Sequence, residues 1–227
     1  MHPSATILES WHANADNWIQ TIDHQEIESR RLVTNQAMIE TLTNINPKTA
    51  LDIGCGEGWL TRALTERGMH VTGVDAIPAL IENAKTKGQG TFLTATYREI
   101  ASGQVFAGQF YDAIVINFAL IDQEETDLLI RYLPNIIKPE GHLVIQTLHP
   151  LSVIGNLDYR SGWQPGSWNG MKRNFVQPYD WYFRTLGDWM RLFKSAGFHI
   201  NDLIEPLHPE TLKPASVIFV LQKLCLL

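Results

Sequence analysis

Long apolar runs and clustered cysteines are both missing from this sequence. No apolar stretch approaches the roughly 18 residues that a membrane-spanning helix needs. The N-terminal residues lack the basic region and apolar core of a signal peptide. The two cysteines, Cys55 and Cys225, have neither metal-ligand nor redox spacing, which predicts a reducing compartment and no metal site. We therefore expect a soluble, cytoplasmic protein that makes no membrane contact.

Basic charge is scarce as well. The chain has 18 Lys and Arg against 24 Asp and Glu, which gives a net charge of -6, and no run of Lys or Arg is longer than a pair. Proteins that bind nucleic acid usually present a basic face. The composition thus predicts that this protein binds no nucleic acid.

Short apolar strands alternate with helices along most of the chain. The residue pattern predicts strands at 50–53, 70–75, 91–95, 111–120, 141–149, 199–206 and 215–224. It predicts helices at 4–45, 58–68, 77–88, 124–137 and 185–198. Alternation of this kind indicates crossover connections and a parallel sheet with helices on both faces. We expect the last two strands to form an antiparallel pair at the sheet edge.

Two segments fall outside this alternation. Residues 1–46 are predicted to form an N-terminal helical segment, and residues 47–227 the core domain. Within the core, the stretch at about 151–184 contains four glycines, two prolines and three of the seven tryptophans. Long loops without periodicity are usually functional or disordered, and aromatic residues argue against disorder. We therefore interpret this stretch as a functional insertion.

Three glycines follow the first strand of the sheet. Gly54, Gly56 and Gly58 are spaced G-x-G-x-G in the stretch LDIGCGEGWL, unlike the glycines of dinucleotide sites and P-loops. Ligands of open parallel sheets bind beyond the carboxyl ends of the strands, where this loop is expected. At the end of the second strand, Asp75 could accept hydrogen bonds from both hydroxyls of a ribose. The pattern favours a nucleoside ligand, although a simple tight turn and a helix N-cap by Asp75 are alternatives.

Four stretches resemble, in order and spacing, the successive motifs of the class I S-adenosylmethionine-dependent methyltransferases of the small-molecule type. They are LDIGCGEGWLTRAL, VTGVDAIPALI, YDAIVINFAL and LPNIIKPEGHLVIQTLHP. The resemblance implies a Rossmann-like three-layer α/β sandwich, in which a mostly parallel seven-stranded sheet has a reversed last strand. It also implies S-adenosylmethionine as the cofactor and S-adenosylhomocysteine as its product.

The same resemblance implies a set of cofactor-binding residues. Asp52 and the backbone of 54–56 would hold the methionine part of the cofactor, and Asp75 would hold the ribose hydroxyls. Ala76 and Ile77 would flank the adenine. The full set is Asp52, Gly54, Cys55, Gly56, Gly58, Asp75, Ala76, Ile77, Thr96, Tyr97, Asn117 and Phe118.

Some of these positions carry alternatives. Asn117 and Phe118 would border the methionyl part of the cofactor, but Asn117 could equally be a turn residue at a strand end. Thr96 stands where the family often has an aspartate that contacts the adenine, and Tyr97 could stack on the adenine. Cys55 is better explained as a small side chain that fills space than as a nucleophile, because methyl transfer in this family needs no thiol.

Methyl transfer requires an aligned acceptor and a dry pocket, which a lid can provide. The N-terminal segment and the insertion flank the core and are rich in aromatic residues, so we expect them to form an aromatic-walled pocket for a small organic molecule. The predicted substrate residues are Trp11, Trp18, Trp163, Trp168, Tyr179 and Tyr182. Ordinary core packing is the alternative for each of these residues.

A general base is needed only for a hydroxyl or protonated amine acceptor. His149 follows the fifth strand and is the first candidate, with His24 as the second. The alternative for His149 is a turn residue before Pro150. Arg30 or Arg31 could pair with the carboxylate of the cofactor, or simply lie on an exposed helix face.

The sequence leaves several functions open. Methyl transfer to a small molecule, on an undetermined O, N, S or C atom, is the leading interpretation. An RNA or protein methyltransferase is an alternative, weakened by NFAL at 117–120 in place of the N/D-P-P-Y/F motif of base-modifying members. A non-catalytic protein that binds S-adenosylmethionine is another. We expect a small-molecule substrate and a monomer or homodimer.

Overall fold

The computed structural model describes residues 3–155 and 158–224, so Cys225 lies outside the described residues. Its strands are β1 (Thr49–Ile53), β2 (His70–Asp75), β3 (Thr91–Thr94), β4 (Tyr111–Asn117), β5 (Ile137–Thr147), β6 (Gly162–Gln164), β7 (Trp181–Phe183), β8 (Phe198–Ile204) and β9 (Val217–Lys223). Its α-helices are α1 (Pro3–Asp23), α2 (Asn35–Ile45), α3 (Trp59–Thr65), α4 (Pro78–Thr86), α5 (Tyr97–Ala101), α6 (Glu124–Tyr132), α7 (Pro150–Val153) and α8 (Leu186–Ser195).

Seven of these strands form one sheet in the order β3-β2-β1-β4-β5-β9-β8. The first five in this order pair in parallel. Strand β9 is antiparallel to both β5 and β8, so it alone runs against the others. The predicted mostly parallel sheet, its reversed last strand and the antiparallel pair at this edge are therefore confirmed. The strand order reverses at β1 and β4, which is where open α/β sheets bind ligands.

Helices cover both faces of the sheet because β4 is apolar on both sides. Ile114 and Ile116 pack into the cluster that includes residues of α6 and α8, while Ala113 and Val115 pack into the cluster that includes residues of α2 and α3. All four side chains are fully buried. Uninterrupted apolar runs of this kind are typical of parallel strands covered on both faces. The predicted three-layer Rossmann-like architecture is confirmed.

The predicted helix at 4–45 is in fact interrupted. Helix α1 ends at Asp23, Gln25 has a left-handed φ of 51°, and a π-helical turn at Arg30–Thr34 leads into α2. Both halves have apolar residues at helical spacing, so periodicity alone did not reveal the break. The fourth strand also ends earlier than predicted, because Phe118 adopts a left-handed φ of 54°.

Several short elements were not predicted, among them α5, α7 and the strands of the insertion. Helix α5 has only five residues, which is too short for a periodic signal in the sequence. It starts with a capping box between Thr96 and Glu99. The insertion contains the antiparallel pair of β6 and β7. In the described ranges, every helix is too short or too polar to cross a membrane.

The glycine turn between β1 and α3 is held by packing as well as by backbone conformation. Gly58 has a φ of 83°, and a Cβ built on it would lie 2.6 Å from Cε1 of Phe92. Gly68, which follows α3, has a similar φ of 87°, but a Cβ there would meet no atom within 4 Å. The two positions therefore share backbone strain and differ in available space.

This difference predicts unequal effects of alanine. Gly68→Ala should destabilise the fold by about 1–2 kcal/mol, the strain of a left-handed residue. Gly58→Ala should cost a further 1–3 kcal/mol or so, because the added methyl group overpacks the contact with Phe92. Urea unfolding followed by tryptophan fluorescence measures both variants. Equal losses at the two positions would contradict the packing argument.

Candidate active site

A cavity of about 900 Å³ lies at the carboxyl ends of β1, β2 and β4. Asp52, Asp75 and Asn117, which lie at or near the ends of these strands, line its inner wall. Side chains of α1 and of residues 167–184 line the opposite wall. The cavity therefore occupies the position that the glycine turn and the strand order predict for a ligand.

The glycine turn brings backbone close to the cavity. A Cβ built on Gly54 would lie 2.4 Å from Cβ of Ala119, so only glycine fits against the loop after β4. A Cβ on Gly56 would have Trp18 Nε1 at 3.5 Å and no nearer atom, so this position opens towards the cavity and α1. The N–H groups of Gly54 and Cys55 donate to the carbonyl of Val74 at 2.7 and 3.0 Å. These bonds tie the turn to β2.

Asp75 is oriented by backbone donors. Its Oδ2 accepts from the N–H of Gly56 and its Oδ1 from the N–H of Ile77, both at 2.9 Å. Burial raises the pKa of Asp75, and these backbone hydrogen bonds oppose the rise. Helix α4 begins at Pro78 with Ile77 as its N-cap residue, so Asp75 does not occupy the N-cap position. Each carboxylate oxygen keeps a lone pair for a ligand hydroxyl.

Asp52 is a second buried carboxylate below the turn. Its Oδ2 accepts from the hydroxyl of Thr61 at 2.7 Å. Burial raises the pKa of Asp52 to about 7, opposed by Thr61 and reinforced by the nearby charges of Asp75 and Glu57. Asp52 therefore titrates near neutral pH.

Arg30 places a buried cation at the same side of the cavity. It begins the π-helical turn, and its guanidinium lies 5.6 Å from the ring centroid of Trp18 and 5.1 Å from that of Trp59. Its Nε donates to Asn35 at 3.2 Å, whereas the buried Nη2 has no hydrogen-bond partner in the described ranges. Desolvation lowers the pKa of Arg30 to about 10, so the group stays charged at neutral pH. Arg31, the other arginine predicted here, is exposed and does not line the cavity.

Beside the ends of β1 and β4, polar groups line the middle of the cavity. The buried Oδ1 of Asn117 has no hydrogen-bond partner within the described residues. The hydroxyl of Tyr97 donates to the carbonyl of Ala119 at 2.9 Å, and burial raises the pKa of Tyr97. Thr96 uses its hydroxyl in the capping box with Glu99. The predicted contacts of Thr96 and Tyr97 with adenine stay predictions.

Most of the predicted site residues share this cavity. Those that line it are Asp52, Gly54, Cys55, Gly56, Asp75, Ala76, Ile77, Thr96, Tyr97, Asn117, Phe118, Trp11, Trp18, Trp168, Tyr179 and Tyr182. Four predicted residues lie elsewhere: Gly58, Trp163, His149 and His24. Gly58 packs against Phe92, and Trp163 packs edge-on against Tyr182 at 5.5 Å from its ring centroid, on the exposed side of β6.

The structure places His149 away from the proposed chemistry. Its Nδ1 accepts from the N–H of Leu151 at 3.1 Å and caps α7. That acceptor role puts the proton of the neutral ring on Nε2, which lies 2.7 Å from Glu205. Both ring nitrogens are therefore engaged. The turn-residue alternative describes this geometry, and the structure does not support His149 as a base.

His24 is not placed for catalysis either. It lies just beyond α1 on the exposed surface, with its Nδ1 2.8 Å from the carbonyl of Gln20 and 3.2 Å from Arg173. Sequence analysis also missed several lining residues, namely Trp59, Asp122, Phe183, Arg184 and Trp189. A signal for Asp122 existed, because it lies in the loop that follows the fourth strand.

The buried Cys55 fits its predicted role as a filler. Burial and the nearby carboxylates raise the pKa of its thiol, which keeps it protonated. In the described ranges, no group of three His, Cys, Asp or Glu side chains is arranged to hold a metal ion.

Comparison with known proteins identifies the family. Residues 51–145 match the family described as Methyltransferase domain. The ubiquinone biosynthesis O-methyltransferase of Xylella fastidiosa (strain M23) is 28% identical over 173 residues, which cover 73% of this chain and 66% of that protein. The protein of the same name from Pseudomonas paraeruginosa is 27% identical and covers 82% of this chain and 88% of that protein. The chain belongs to the class I S-adenosylmethionine-dependent methyltransferases.

Solved structures agree on the fold of this methyltransferase. An S-adenosylmethionine-dependent methyltransferase from Mesorhizobium loti superposes with a TM-score of 0.62 at 20% identity, covering 81% of this chain and 96% of that one. The magnesium protoporphyrin IX methyltransferase of Synechocystis PCC 6803, solved with bound S-adenosylhomocysteine, gives a TM-score of 0.58 at 20% identity, covering 83% of this chain and 81% of that one. The methyltransferase family and the Rossmann-like fold expected from the sequence are confirmed. The chain spans slightly less than two thirds of the Xylella relative, 66% of its length.

The buried carboxylate of Asp52 predicts a pH-dependent stability for the methyltransferase. Its pKa rises from 3.8 to about 7 on folding, so the fold favours the protonated form. Stability from this group is complete below about pH 4 and falls by up to about 1.4 kcal/mol per pH unit until about pH 7. Asp52→Asn keeps an acceptor for Thr61 and removes the charge. Its stability relative to wild type in urea unfolding should therefore increase from about pH 5 to about pH 8.

Asp112 provides the control, because its pKa shifts in the direction opposite to that of Asp52. Desolvation raises the pKa of Asp112, but hydrogen bonds from Lys138 and Thr49 outweigh it and lower the pKa overall. Asp112→Asn should therefore lose stability by the same amount at each pH across that range, because Asp112 is ionised throughout. If the stability difference between Asp52→Asn and wild type did not change with pH, the pKa of Asp52 would not be raised by folding.

Proposed function

We propose that this methyltransferase transfers the methyl group of S-adenosylmethionine to a small organic molecule by direct in-line displacement. The observation that carries the proposal is one cavity lined both by polar groups suited to the cofactor and by aromatic side chains suited to an organic acceptor. The polar groups at the glycine turn are Asp52, Asp75, the glycine backbone and Arg30, and most of the aromatic side chains belong to α1 and to residues 168–189. We call the part of the cavity beside β7, α8 and the loop after β4 its acceptor end. A volume of about 900 Å³ is at the upper end of the range for small-molecule sites and leaves space for two ligands.

The residues at the glycine turn fit the cofactor. The free Nη2 of Arg30 would bind its carboxylate, and the unpartnered Oδ1 of Asn117 would accept from its ammonium group. The outward lone pairs of Asp75 would accept from the ribose hydroxyls. When bound, the cofactor supplies a methyl group already activated by a sulfonium. The protein's own contribution is therefore positioning and the exclusion of water.

We further propose that α1 and the insertion act as one lid. Asn14, fully buried on α1, donates to the carbonyl of Val176 at 2.7 Å and accepts from its N–H at 2.8 Å. The side-chain amide of Asn14 thus exchanges two hydrogen bonds with the backbone of Val176, as paired residues of neighbouring β-strands do. The indole of Trp11 meets the rings of Trp168 and Tyr179 at 5.7 and 6.2 Å between centroids. The predicted helical segment and insertion thus touch each other across the cavity.

The acceptor is proposed to be a small molecule rather than a nucleic acid. The relatives named above are O-methyltransferases of ubiquinone biosynthesis, which supports an oxygen atom on a small organic acceptor. The net charge of -6 supports the same choice, because a nucleic-acid substrate would be repelled. We also propose that the protein is cytoplasmic, since the buried Cys55 is a free thiol, and that it is a monomer or homodimer.

Calorimetry with S-adenosylhomocysteine tests the cofactor site. Arg30→Met removes the buried cation and should weaken binding at least about tenfold, or about 1.4 kcal/mol, as expected for a charge-assisted contact. Arg31→Met alters the neighbouring exposed arginine and should change the affinity less than about twofold. Circular dichroism checks that both variants fold. Wild-type affinity in Arg30→Met would exclude the proposed carboxylate contact, and no binding to the wild-type protein would remove the proposed function.

The lid predicts a local change in hydrogen exchange. Asn14→Ala deletes both bonds to Val176, and amide exchange around that residue should become at least about tenfold faster. Asn17→Ala deletes one exposed bond to Asn174 and should have a much smaller effect. Mass spectrometry with and without S-adenosylhomocysteine measures both variants. A lid that closes over the cofactor requires slower exchange in wild type when ligand is added, and unchanged exchange would contradict it.

A further inference from the structure

The acceptor end of the cavity contains few groups able to take a proton. No histidine lines the cavity within 3–155 and 158–224. Burial raises the pKa of Tyr179 to about 12 and also raises that of Tyr97, so both phenols stay protonated at neutral pH. The thiol of Cys55 is protonated for the same reason. Among the described lining residues, the carboxylates are therefore the main candidates for accepting a proton.

Most of the carboxylates in the cavity already have another role. Asp52 and Asp75 lie at the glycine turn, on the cofactor side. Glu57 forms ion pairs with Arg62 at 2.6 Å and Lys87 at 3.4 Å. The carboxylates left at the acceptor end are those after β4, Asp122 and Glu125.

These two differ in their partners. Glu125 forms an ion pair with Arg98. Asp122 has no basic side chain within ion-pairing distance among the described residues, and only 6% of its surface is exposed. Its carboxylate is therefore buried without an ion pair among these residues, although the guanidinium of Arg184 donates to the carbonyl of the neighbouring Gln123 at 3.0 Å. Burying a charge without a directly paired cation costs free energy, and such groups are typical of functional sites.

The carboxylate of Asp122 is held rigidly by its neighbours. Its Oδ1 accepts from the N–H of Glu125 at 2.8 Å, and its Oδ2 accepts from the hydroxyl of Ser4, on α1, at 2.8 Å. The loop itself is fixed by β7, because the N–H of Tyr182 donates to the carbonyl of Ile121 at 2.9 Å. Each carboxylate oxygen thus has one fixed donor and keeps a lone pair.

Aromatic rings surround this end of the cavity. The lining rings from β7 are Trp181, Tyr182 and Phe183, and the one from α8 is Trp189. Rings favour flat apolar ligands, since aromatic groups stack or meet edge to face. The site therefore combines aromatic surface, with the guanidinium of Arg184 over Tyr182 and Trp189, and the carboxylate of Asp122.

We propose that Asp122 accepts the proton of the acceptor's nucleophile, and that the substrate carries a hydroxyl or amine on a planar apolar body. The inference rests on the proposed methyl transfer. As the oxygen or nitrogen of the substrate bonds to the methyl carbon, the carbon–sulfur bond breaks and its electron pair stays on sulfur. The O–H or N–H bond also breaks, its electrons stay on the substrate atom, and the proton passes to a carboxylate oxygen of Asp122. Solvent removes this proton after product release.

Binding of small probes to the protein saturated with S-adenosylhomocysteine tests whether the site recognises a hydroxyl or amine group. The probes are 2-naphthol, 2-(aminomethyl)naphthalene and 2-methylnaphthalene, which share one body and differ in the proton-bearing group. Wild type should bind the hydroxyl or the amine probe at least about tenfold more tightly than the methyl compound, as expected for a charge-assisted hydrogen bond. The preferred probe identifies the acceptor atom. Asp122→Asn should lose most of this preference, and Glu125→Gln should keep it.

Turnover of the preferred probe tests proton transfer. Asp122→Asn should lower kcat about 100-fold at neutral pH, the lower limit for loss of a general base, without changing the affinity for S-adenosylhomocysteine. The loss should shrink as the pH rises towards the pKa of the probe, because a substrate that has already lost this proton to solvent needs less help from a base.

Three results would overturn the role of Asp122. They are equal binding of the three probes to wild type, a preference unchanged in Asp122→Asn, and a kcat loss that is the same at every pH. In each case intact binding of S-adenosylhomocysteine would leave the cofactor proposal standing. Absence of that binding in wild type would instead reject the proposed function itself.

Discussion

The site depends on one carboxylate that holds two loops in place. Asp75 receives the N–H groups of Gly56 and Ile77, so the turn after β1 and the start of α4 are fixed around a single side chain. This arrangement requires backbone without side chains at the turn, because a Cβ on Gly54 would collide with Ala119. The cavity beyond the strands exists because these constraints bring three strand ends together and leave space above them.

Buried charge is concentrated around this turn. Asp52, Glu57 and Asp75 lie close enough to affect the same pKa values, and Arg30 is buried near them without a full set of partners. A buried charge without a complete hydrogen-bond shell costs free energy, and such groups are typical of functional sites. The same reasoning applies to Asp122 at the acceptor end. Buried charge therefore occurs both beside the proposed cofactor and beside the proposed substrate.

The sheet was predictable because strand burial and glycine position leave direct signals in the sequence. Uninterrupted apolar strands indicated a doubly covered parallel sheet, and Gly54 and Asp75 marked its ligand-binding edge. The break near Gln25 was not predictable, since the helices on both sides have similar periodicity. The environment of His149 was not predictable either, because its partner Glu205 is distant in sequence. The position of Asp122 after the fourth strand was a signal for the site, but its importance depends on which neighbours neutralise other carboxylates, a property of the folded chain.

The π-helical turn at Arg30–Thr34 has a consequence for how this protein tolerates insertions and deletions. A π-helical turn holds one residue more than the same turn of α-helix, and each residue rotates a side chain by about 100° around the axis. Removing a single residue here would restore regular geometry and would move the guanidinium of Arg30 away from Trp18 and Trp59. The irregular turn thus sets the direction of the cation, and loss of one codon in this stretch would be more harmful than most point substitutions nearby.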